Sequence, residues 1–205
     1  MNASELLSSV RLLPVVVIHD ISAATALAHT LLESGVRAVE VTLRTEGALK
    51  AIEHIASEVP DILLGAGSVI APHQFEEVRS AGAQFVVSPG STSQLLKAAN
   101  LPFVPGASTP SECMSLLHAG YELIKFFPAE SSGGAAALKS WRGPLSNARF
   151  CPTGGINEQN VADYLALDCV STIGGSWFVP PDRIAAGDMQ TIRALTKQAV
   201  QLCEQ

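Results

Sequence analysis

The residue whose chemistry stands out is Lys125, in the middle of the run Leu-Ile-Lys-Phe-Phe-Pro-Ala-Glu at positions 123–130. The apolar and aromatic composition of this run and its proline are typical of a short buried strand. Burial of a lysine is rare, and it favours the neutral amine, which can attack a carbonyl carbon and form a Schiff base. We therefore interpret Lys125 as a nucleophile. The alternative is a strand-end lysine whose amine reaches water.

A second group of reactive side chains lies around the predicted strand 38–43. Glu40, Thr42 and Arg44 occupy alternate positions, and the residues between them are apolar. Because successive strand side chains point to opposite faces, the polar set shares one face, and the apolar set belongs against covering helices. The pattern thus points a carboxylate, a hydroxyl and a guanidinium into the interior, where the carboxylate can act as general acid or base. The alternative is a Glu–Arg pair that only stabilises geometry.

Strand-like and helix-like runs alternate along the whole chain. The eight predicted strands are residues 14–18, 38–43, 62–66, 85–88, 103–105, 123–127, 149–152 and 170–173. Alternation of this kind is typical of a parallel sheet with right-handed crossovers. The sequence therefore predicts an α/β fold, a (β/α)₈ TIM barrel with short loops and an extra N-terminal helix at 3–10, in a single domain spanning residues 1–205. A doubly wound sheet is the alternative architecture.

Composition excludes several classes of function. A net charge of −6 without a Lys/Arg cluster argues against a nucleic-acid partner. The apolar run 12–18 is too short to span a membrane, so no membrane partner is expected. The cysteines at 113, 151, 169 and 203 form no CxxC pair and predict free thiols in a reducing cytoplasm. The scattered histidines form no metal-ligand motif, so we predict neither a metal nor a cofactor.

Glycines follow the last two predicted strands. Thr153-Gly154-Gly155 comes after the seventh strand, and Gly174-Gly175-Ser176 comes after the eighth. Barrels of this type commonly bind a phosphate at these loops, where glycine leaves the backbone N–H groups unobstructed. One Gly-Gly pair alone would signify only a turn. The two pairs together predict a phosphate site.

The sequence as a whole resembles the 2-dehydro-3-deoxy-phosphogluconate (KDPG) aldolase family, which includes 4-hydroxy-2-oxoglutarate aldolases. The matching stretches run in order along almost the whole chain, at residues 35–45, 65–69, 87–90, 124–130, 151–156 and 173–176. The resemblance implies a metal-free, trimeric (β/α)₈ class I aldolase. Its substrate would be a phosphorylated 2-oxo acid, 2-dehydro-3-deoxy-6-phosphogluconate, which it would cleave to pyruvate and glyceraldehyde 3-phosphate.

The resemblance also assigns roles by position. Lys125 resembles the Schiff-base lysine and Glu40 the general acid/base, while Arg44 and Ser68 would hold the pyruvyl carboxylate. The remaining positions would bind the rest of the substrate: Pro89 and Phe127 along the pocket, and Thr153, Gly154, Gly155, Gly175 and Ser176 at its phosphate end.

Two positions depart from the family pattern. Many relatives carry threonine where Ser68 stands, and serine keeps the hydroxyl with a less constrained χ1. Some relatives have an arginine after the first strand, where this chain reads Ile18-His19-Asp20. His19 either reaches the phosphate or hydroxyl end of the substrate or is an ordinary loop histidine.

Three other functions compete with this interpretation. A related aldolase would act on 4-hydroxy-2-oxoglutarate or on the galactonate epimer of the substrate, which differ only in a phosphate or one hydroxyl configuration. A non-catalytic phosphosugar-binding barrel would need the glycines but not an inward lysine and glutamate. A phosphosugar-isomerising barrel is disfavoured because it does not need a desolvated lysine beside a carboxylate. The sequence also leaves open whether Glu40 is protonated, since burial and Arg44 act on it in opposite directions.

Overall fold

The computed structural model describes residues 2–204, in which parallel strands alternate with helices. The strands are β1 (Leu12–Val16), β2 (Ala38–Thr42), β3 (Leu63–Gly67), β4 (Phe85–Val87), β5 (Phe103–Val104), β6 (Gly106–Ala107), β7 (Leu123–Phe126), β8 (Arg149–Pro152) and β9 (Ile173–Gly175). The helices are α1 (Ala3–Leu6), α2 (Ala24–Glu33), α3 (Ala48–Glu58), α4 (Gln74–Ser80), α5 (Ser93–Ala98), α6 (Pro110–His118), α7 (Gly134–Trp141), α8 (Val161–Leu165), α9 (Pro181–Ala185) and α10 (Met189–Cys203). Single 3-10 turns cover Ile21–Ala23 and Glu130–Ser132.

The prediction of a closed eight-stranded (β/α)₈ barrel is wrong. Within residues 2–204, one sheet has six strands in the order β5-β4-β3-β2-β1-β9, and a second has three in the order β6-β7-β8. Pro105 divides the predicted strand 103–105 into β5 and β6, because its nitrogen has no hydrogen to donate to a ladder. Beside β8, the isolated bridges Phe150–Val170 and Thr153–Gly174 stand in place of a continuous ladder to β9. The architecture is a curled, barrel-like α/β arrangement of two sheets.

The strand order also differs from the alternative architecture. In the six-stranded sheet, β1 to β5 lie side by side in chain order. A doubly wound sheet reverses its strand order near the first strand, and this sheet shows no such reversal among the described residues. The predicted N-terminal helix is present but short: α1 ends at Leu6 rather than at residue 10.

Strand alternation separates the buried residues into two clusters. One face of the strands packs against the helices and contributes Val16, Val86, Ile124 and Phe150 to a large outer cluster. The other face forms a smaller inner cluster of Ala3, Leu7, Val10, Leu13, Ala38, Phe85, Val87, Val104, Leu123 and Cys151. Period-two alternation is the cause, since neighbours in a strand point to opposite faces.

The helix α1 covers the inner cluster. Asn2 and Glu5 form a capping box in which the Asn2 side chain accepts from the Glu5 N–H and the Glu5 carboxylate accepts from the Asn2 N–H. This cap fixes the start of the helix. Ala3 in α1 and Leu7, the residue after α1, both belong to the inner cluster. The amino-terminal half of the concave face is therefore apolar and closed, which leaves the carboxyl ends of the strands for a site. None of the helices between residues 2 and 204 combines the length and apolar composition needed to cross a membrane.

Candidate active site

Lys125 and Glu40 form a buried pair on the concave face of the strands. Lys125 is in β7, two residues after Leu123 of the inner cluster, and Glu40 is in β2, two residues after Ala38. Lys125 Nζ lies 3.0 Å from Glu40 Oε1 and 3.5 Å from Oε2. The side chains are only 4% and 1% exposed. An amine and a carboxylate in direct hydrogen bond, shielded from water, can exchange a proton without a solvent relay.

Gly67 makes room for the carboxylate. Gly67 of β3 lies opposite Thr42 of β2 in the ladder between the two strands. A β-carbon added at Gly67 would lie 2.0 Å from Glu40 Oε1. Any side chain there would displace the carboxylate from Lys125, because real β-carbon contacts do not come so close. Gly67 therefore contributes to the site by having no side chain, because the Glu40 carboxylate occupies the space that a side chain would fill.

An aromatic ring borders the lysine. The Phe127 ring centroid lies 5.4 Å from Lys125 Nζ, within the range over which a ring face attracts an ammonium group. Phe127 follows β7 directly and is partly buried. It therefore covers the amine on the side that opens toward the strand ends.

Arg44 and Ser68 meet at the ends of β2 and β3. Arg44 Nε donates to Ser68 Oγ over 2.9 Å. Ser68 has a backbone φ of +58°, a region that non-glycine residues occupy mainly at turns and functional sites. The Arg44 side chain is exposed, so its guanidinium keeps further N–H groups available for an anion.

A small cavity opens beside Arg44. It has a volume of about 100 Å³ and is lined by Val15, Arg44, Phe127, Thr153, Gly154, Gly155, Ile156, Gly174, Gly175 and Ser176. The φ angles of Gly154 and Gly155 are +102° and +81°, a left-handed conformation that favours glycine. The predicted substrate-binding residues after β8 and β9 therefore share one cavity with Arg44 and Phe127.

Two other predicted positions, Pro89 and His19, are not among the residues that line this cavity. Pro89 follows β4 and packs against β6, where a β-carbon on Gly106 would lie 2.3 Å from the Pro89 carbonyl carbon. His19 is exposed in the segment between β1 and the 3-10 turn at Ile21–Ala23. Its role stays a prediction.

Cys151 is a neighbour of the pair that sequence reasoning missed. It lies opposite Lys125 in the ladder between β7 and β8, and its thiol is buried next to Thr153. Burial raises the pKa of Cys151 to about 12, an effect that the Lys125 charge partly opposes. The thiol is therefore neutral near pH 7. Alternation along β8 could have placed it on the inner face.

Residues 2–204 contain no cluster of three or more histidine, cysteine, aspartate or glutamate side chains arranged to hold a metal ion. The four cysteines at 113, 151, 169 and 203 are buried free thiols. The groups that the site presents include an amine, a carboxylate, a guanidinium, hydroxyls and backbone N–H groups.

Comparison with known proteins gives concordant matches. The family model described as "Aldolase: KDPG and KHG aldolase" matches residues 3–195. The KHG/KDPG aldolase of Escherichia coli (strain K12) is 49% identical over 203 residues, which cover 98% of this chain and 95% of that protein.

Two solved structures extend the comparison to the fold. KDPG aldolase from Legionella pneumophila, with pyruvate captured at low pH as a covalent carbinolamine intermediate, has a TM-score of 0.93 and 41% identity over 97% of this chain and 98% of that one. The 2-keto-3-deoxy-6-phosphogluconate aldolase of Zymomonas mobilis ZM4, solved with 3-phosphoglycerate, has a TM-score of 0.89 and 40% identity over 96% and 94% of the two chains.

Proposed function

The chain belongs to the KDPG and KHG aldolase family, and we propose that it is a class I aldolase that cleaves 2-dehydro-3-deoxy-6-phosphogluconate to pyruvate and glyceraldehyde 3-phosphate. The observation that carries the proposal is the buried hydrogen bond of 3.0 Å between Lys125 Nζ and Glu40 Oε1. A class I aldolase needs a neutral amine and a group that moves protons beside it. The pyruvate carbinolamine in the Legionella relative supports the same chemistry.

Catalysis begins at the amine. Glu40 takes a proton from Lys125, and the neutral Nζ attacks the C2 carbonyl carbon of the substrate to give a carbinolamine. A proton of the attacking nitrogen moves to the C2 oxygen, and Glu40 gives the proton that it took from Lys125 to the resulting C2 hydroxyl. This hydroxyl leaves as water, so that an iminium forms and the Glu40 carboxylate is ionised again. The iminium carries a positive charge in a site that holds water out, so it withdraws electrons strongly from the C3–C4 bond.

Carbon–carbon cleavage uses the same carboxylate. Glu40 accepts the proton of the C4 hydroxyl, the C3–C4 bond breaks, and its electron pair moves to C3 and the iminium nitrogen as an enamine. Glyceraldehyde 3-phosphate leaves. Glu40 returns a proton to C3, and water hydrolyses the resulting pyruvyl iminium to free pyruvate and Lys125. One carboxylate thus serves as base and then as acid.

The remaining residues hold the two ends of the substrate. Arg44 and Ser68, joined by their hydrogen bond of 2.9 Å, are placed to bind the pyruvyl carboxylate. Pro89 and Phe127 would line the path between the two ends. The phosphate end would be held by the loops after β8 and β9, through Thr153, Gly154, Gly155, Gly175 and Ser176.

The glycine-lined cavity suits a phosphorylated substrate better than 4-hydroxy-2-oxoglutarate. A cavity of about 100 Å³ bordered by two glycine pairs and Arg44 suits a compact anion. 4-Hydroxy-2-oxoglutarate has no phosphate to fill it, so we propose this activity as a weaker second one. The galactonate epimer differs only at one hydroxyl and keeps the phosphate.

A coupled assay for pyruvate release tests the proposal on all three substrates. We expect the highest kcat/KM for 2-dehydro-3-deoxy-6-phosphogluconate, then its epimer, then 4-hydroxy-2-oxoglutarate. Activity should survive EDTA, because the proposed cycle uses no metal. Absence of pyruvate from every substrate, or loss with EDTA that a divalent ion restores, would contradict the proposal.

Two further properties follow from the family resemblance. We propose a homotrimer of 21.4 kDa chains in the cytoplasm. The four buried free thiols suit a reducing compartment. Light scattering should give three times the chain mass, and a monomer mass would contradict the trimer.

A further inference from the structure

The loop after β7 and the loop after β8 are fastened together at the mouth of the site. The Ala129 N–H donates to the Thr153 carbonyl over 2.8 Å, and the Glu130 N–H donates to the Gly154 carbonyl over 3.1 Å. The first loop carries Phe127 and the second carries the glycine pair of the cavity. Any group that fixes one loop therefore also fixes the other.

The side chain of Glu130 lies directly on the second loop. Its Cβ and Cγ would each lie 2.7 Å from a β-carbon added to Gly155. These two methylene carbons therefore pack against the glycine backbone. Its Oε1 accepts a hydrogen bond from the hydroxyl of Tyr164. Tyr164 belongs to α8 and is fully buried. The buried Tyr164 is thus connected, through the Glu130 side chain, to the loop that carries Gly154 and Gly155.

The hydrogen bond from Tyr164 also determines where the charge of Glu130 lies relative to the glycine pair. A free carboxylate beside the glycine pair would repel the phosphate that the pair is proposed to bind. Burial first, and then the hydrogen bond with Glu130, raise the pKa of Tyr164, so its hydroxyl stays a donor at neutral pH. The hydroxyl holds the carboxylate toward α8 and Gly134, whose added β-carbon would lie 3.3 Å from Oε1.

A second contact ties the same loop to the same helix. Asn160, the residue before α8, donates from Nδ2 to the Gly155 carbonyl over 3.1 Å. The Gly155 backbone thus has two contacts that connect it to α8, one through Glu130 and Tyr164 and one through Asn160. The helix α8 is therefore the platform on which the loop geometry depends.

We propose that Tyr164 and Glu130 are positioning residues that fix the Gly154–Gly155 loop for phosphate and so set the preference for phosphorylated over unphosphorylated 2-oxo acids. This inference rests on the proposed function, since it names what determines specificity at that site. The proposed Schiff-base chemistry occurs at Lys125, which is outside the lining of the cavity, and it does not need the contact between Tyr164 and Glu130. Removal of the Tyr164–Glu130 hydrogen bond should consequently affect the phosphorylated substrate more than the unphosphorylated one.

The test replaces Tyr164 with phenylalanine in the full-length enzyme. Tyr164→Phe keeps the buried ring and deletes only the hydrogen bond. A bond of this kind accounts for about a three- to tenfold change in an equilibrium constant, so we expect KM for 2-dehydro-3-deoxy-6-phosphogluconate to rise by that factor. For 4-hydroxy-2-oxoglutarate, kcat/KM should change by less than about twofold. The inhibition constant of inorganic phosphate should rise in parallel with the KM of the phosphorylated substrate.

Matched variants separate positioning from general damage to the fold. Glu130→Gln keeps an acceptor oxygen and the methylene contact, so it should retain the phosphate preference, whereas Glu130→Ala, at an exposed residue, should lose it as Tyr164→Phe does. Tyr121→Phe removes the other tyrosine hydroxyl of the chain, at the opposite end of the strands, and should leave both substrates unaffected.

The inference is overturned if Tyr164→Phe and Glu130→Ala lower kcat/KM equally for both substrates, or if they leave KM for the phosphorylated one within twofold of the original. Failure of the proposed function has a different signature. The unmodified enzyme would then release no pyruvate from the phosphorylated substrate, before any variant is compared.

Discussion

The two halves of the concave face have opposite compositions although the same strands build them. Leu123 and Ala38 belong to the apolar inner cluster, and Lys125 and Glu40 occupy the next inward positions on β7 and β2. Two strand residues span only about 6.6 Å. Within that distance the face changes from a packed core to a buried ion pair. Stability and chemistry are therefore divided along these strands, not between them.

This division makes the two halves separable by mutation. Changes in the carboxyl half should act mainly on turnover, because its polar groups are the ones proposed to contact substrate. Changes in the amino half should act mainly on the free energy of unfolding, because its apolar residues pack against one another and against α1. Four substitutions test this, in order of decreasing expected effect.

Lys125→Met should abolish turnover in the carboxyl half. Without the amine no iminium forms, and kcat should fall by about 10⁴-fold or more, as when other covalent nucleophiles are removed. The same coupled assay measures it. Lys97→Met is the matched control, since Lys97 is an exposed lysine on α5 and should retain full activity. Residual turnover above a hundredth of the original would place the nucleophile elsewhere.

Glu40→Gln should impair proton transfer but leave the nucleophile. We expect kcat to fall by about 10²- to 10⁴-fold, the usual contribution of general acid–base catalysis. Pyruvate should still form a reducible adduct with the variant, although more slowly. Rapid kinetics of adduct formation beside steady-state turnover separate the two effects. Turnover equal to that of the unmodified enzyme would remove Glu40 from the mechanism.

Leu7→Ala should show the reverse behaviour in the amino half. Leu7 is 2% exposed and belongs to the inner cluster, so its truncation should lower the free energy of unfolding by about 2–5 kcal/mol. Denaturant titration gives this value, and kcat/KM of the folded variant should stay within a few-fold. Leu6→Ala, at a partly buried neighbour, should cost less. A large loss of kcat/KM at unchanged stability would contradict the division between the halves.

Cys151→Ala tests the boundary between the halves and should have the smallest effect on catalysis. The thiol has a folded-state pKa of about 12 against an ordinary value of 9.0. Because the folded chain holds this proton more tightly, the resulting stability is complete below pH 9 and is lost as pH rises toward 12. The loss is up to about 1.4 kcal/mol per pH unit.

The variant should therefore lose stability less steeply with pH above 9 than the unmodified enzyme, and its kcat near pH 7 should change little. Chemical denaturation at several alkaline pH values checks the slope. Equal slopes for the two proteins would show that the thiol is not desolvated in the folded state. A large fall in kcat at pH 7 would bring the thiol into the chemistry.

The sequence predicts these elements unequally. Alternation along β2 was sufficient to predict that Glu40 points inward, because side-chain direction in a strand is a local property. Lys125 was singled out by the apolar run that surrounds it. The glycine pairs after the last two predicted strands, together with the family motifs, supplied residues that line the cavity beside Arg44. The geometry of the pair, by contrast, depends on space left by Gly67 in another strand, which local pattern does not reveal.

Closure of the sheet was the main feature that pattern could not predict. Strand-like composition indicates where a strand lies but not whether each backbone N–H finds its partner. Pro105 shows the difference: its carbonyl accepts from Lys125 N–H over 2.9 Å, yet its own nitrogen cannot donate. The hydrogen bond between Tyr164 and Glu130 could not be predicted from the pattern either, since it joins the side chains of residues 34 positions apart.

Reductive trapping of pyruvate tests the central claim most directly. The enzyme is incubated with pyruvate and sodium borohydride, and the modified residue is located by mass spectrometry of peptides. The account predicts one stable adduct, on the lysine of the peptide that contains 123–130, and its absence from Lys125→Met. An adduct on Lys50, Lys97, Lys139 or Lys197, or no adduct at all, would contradict it.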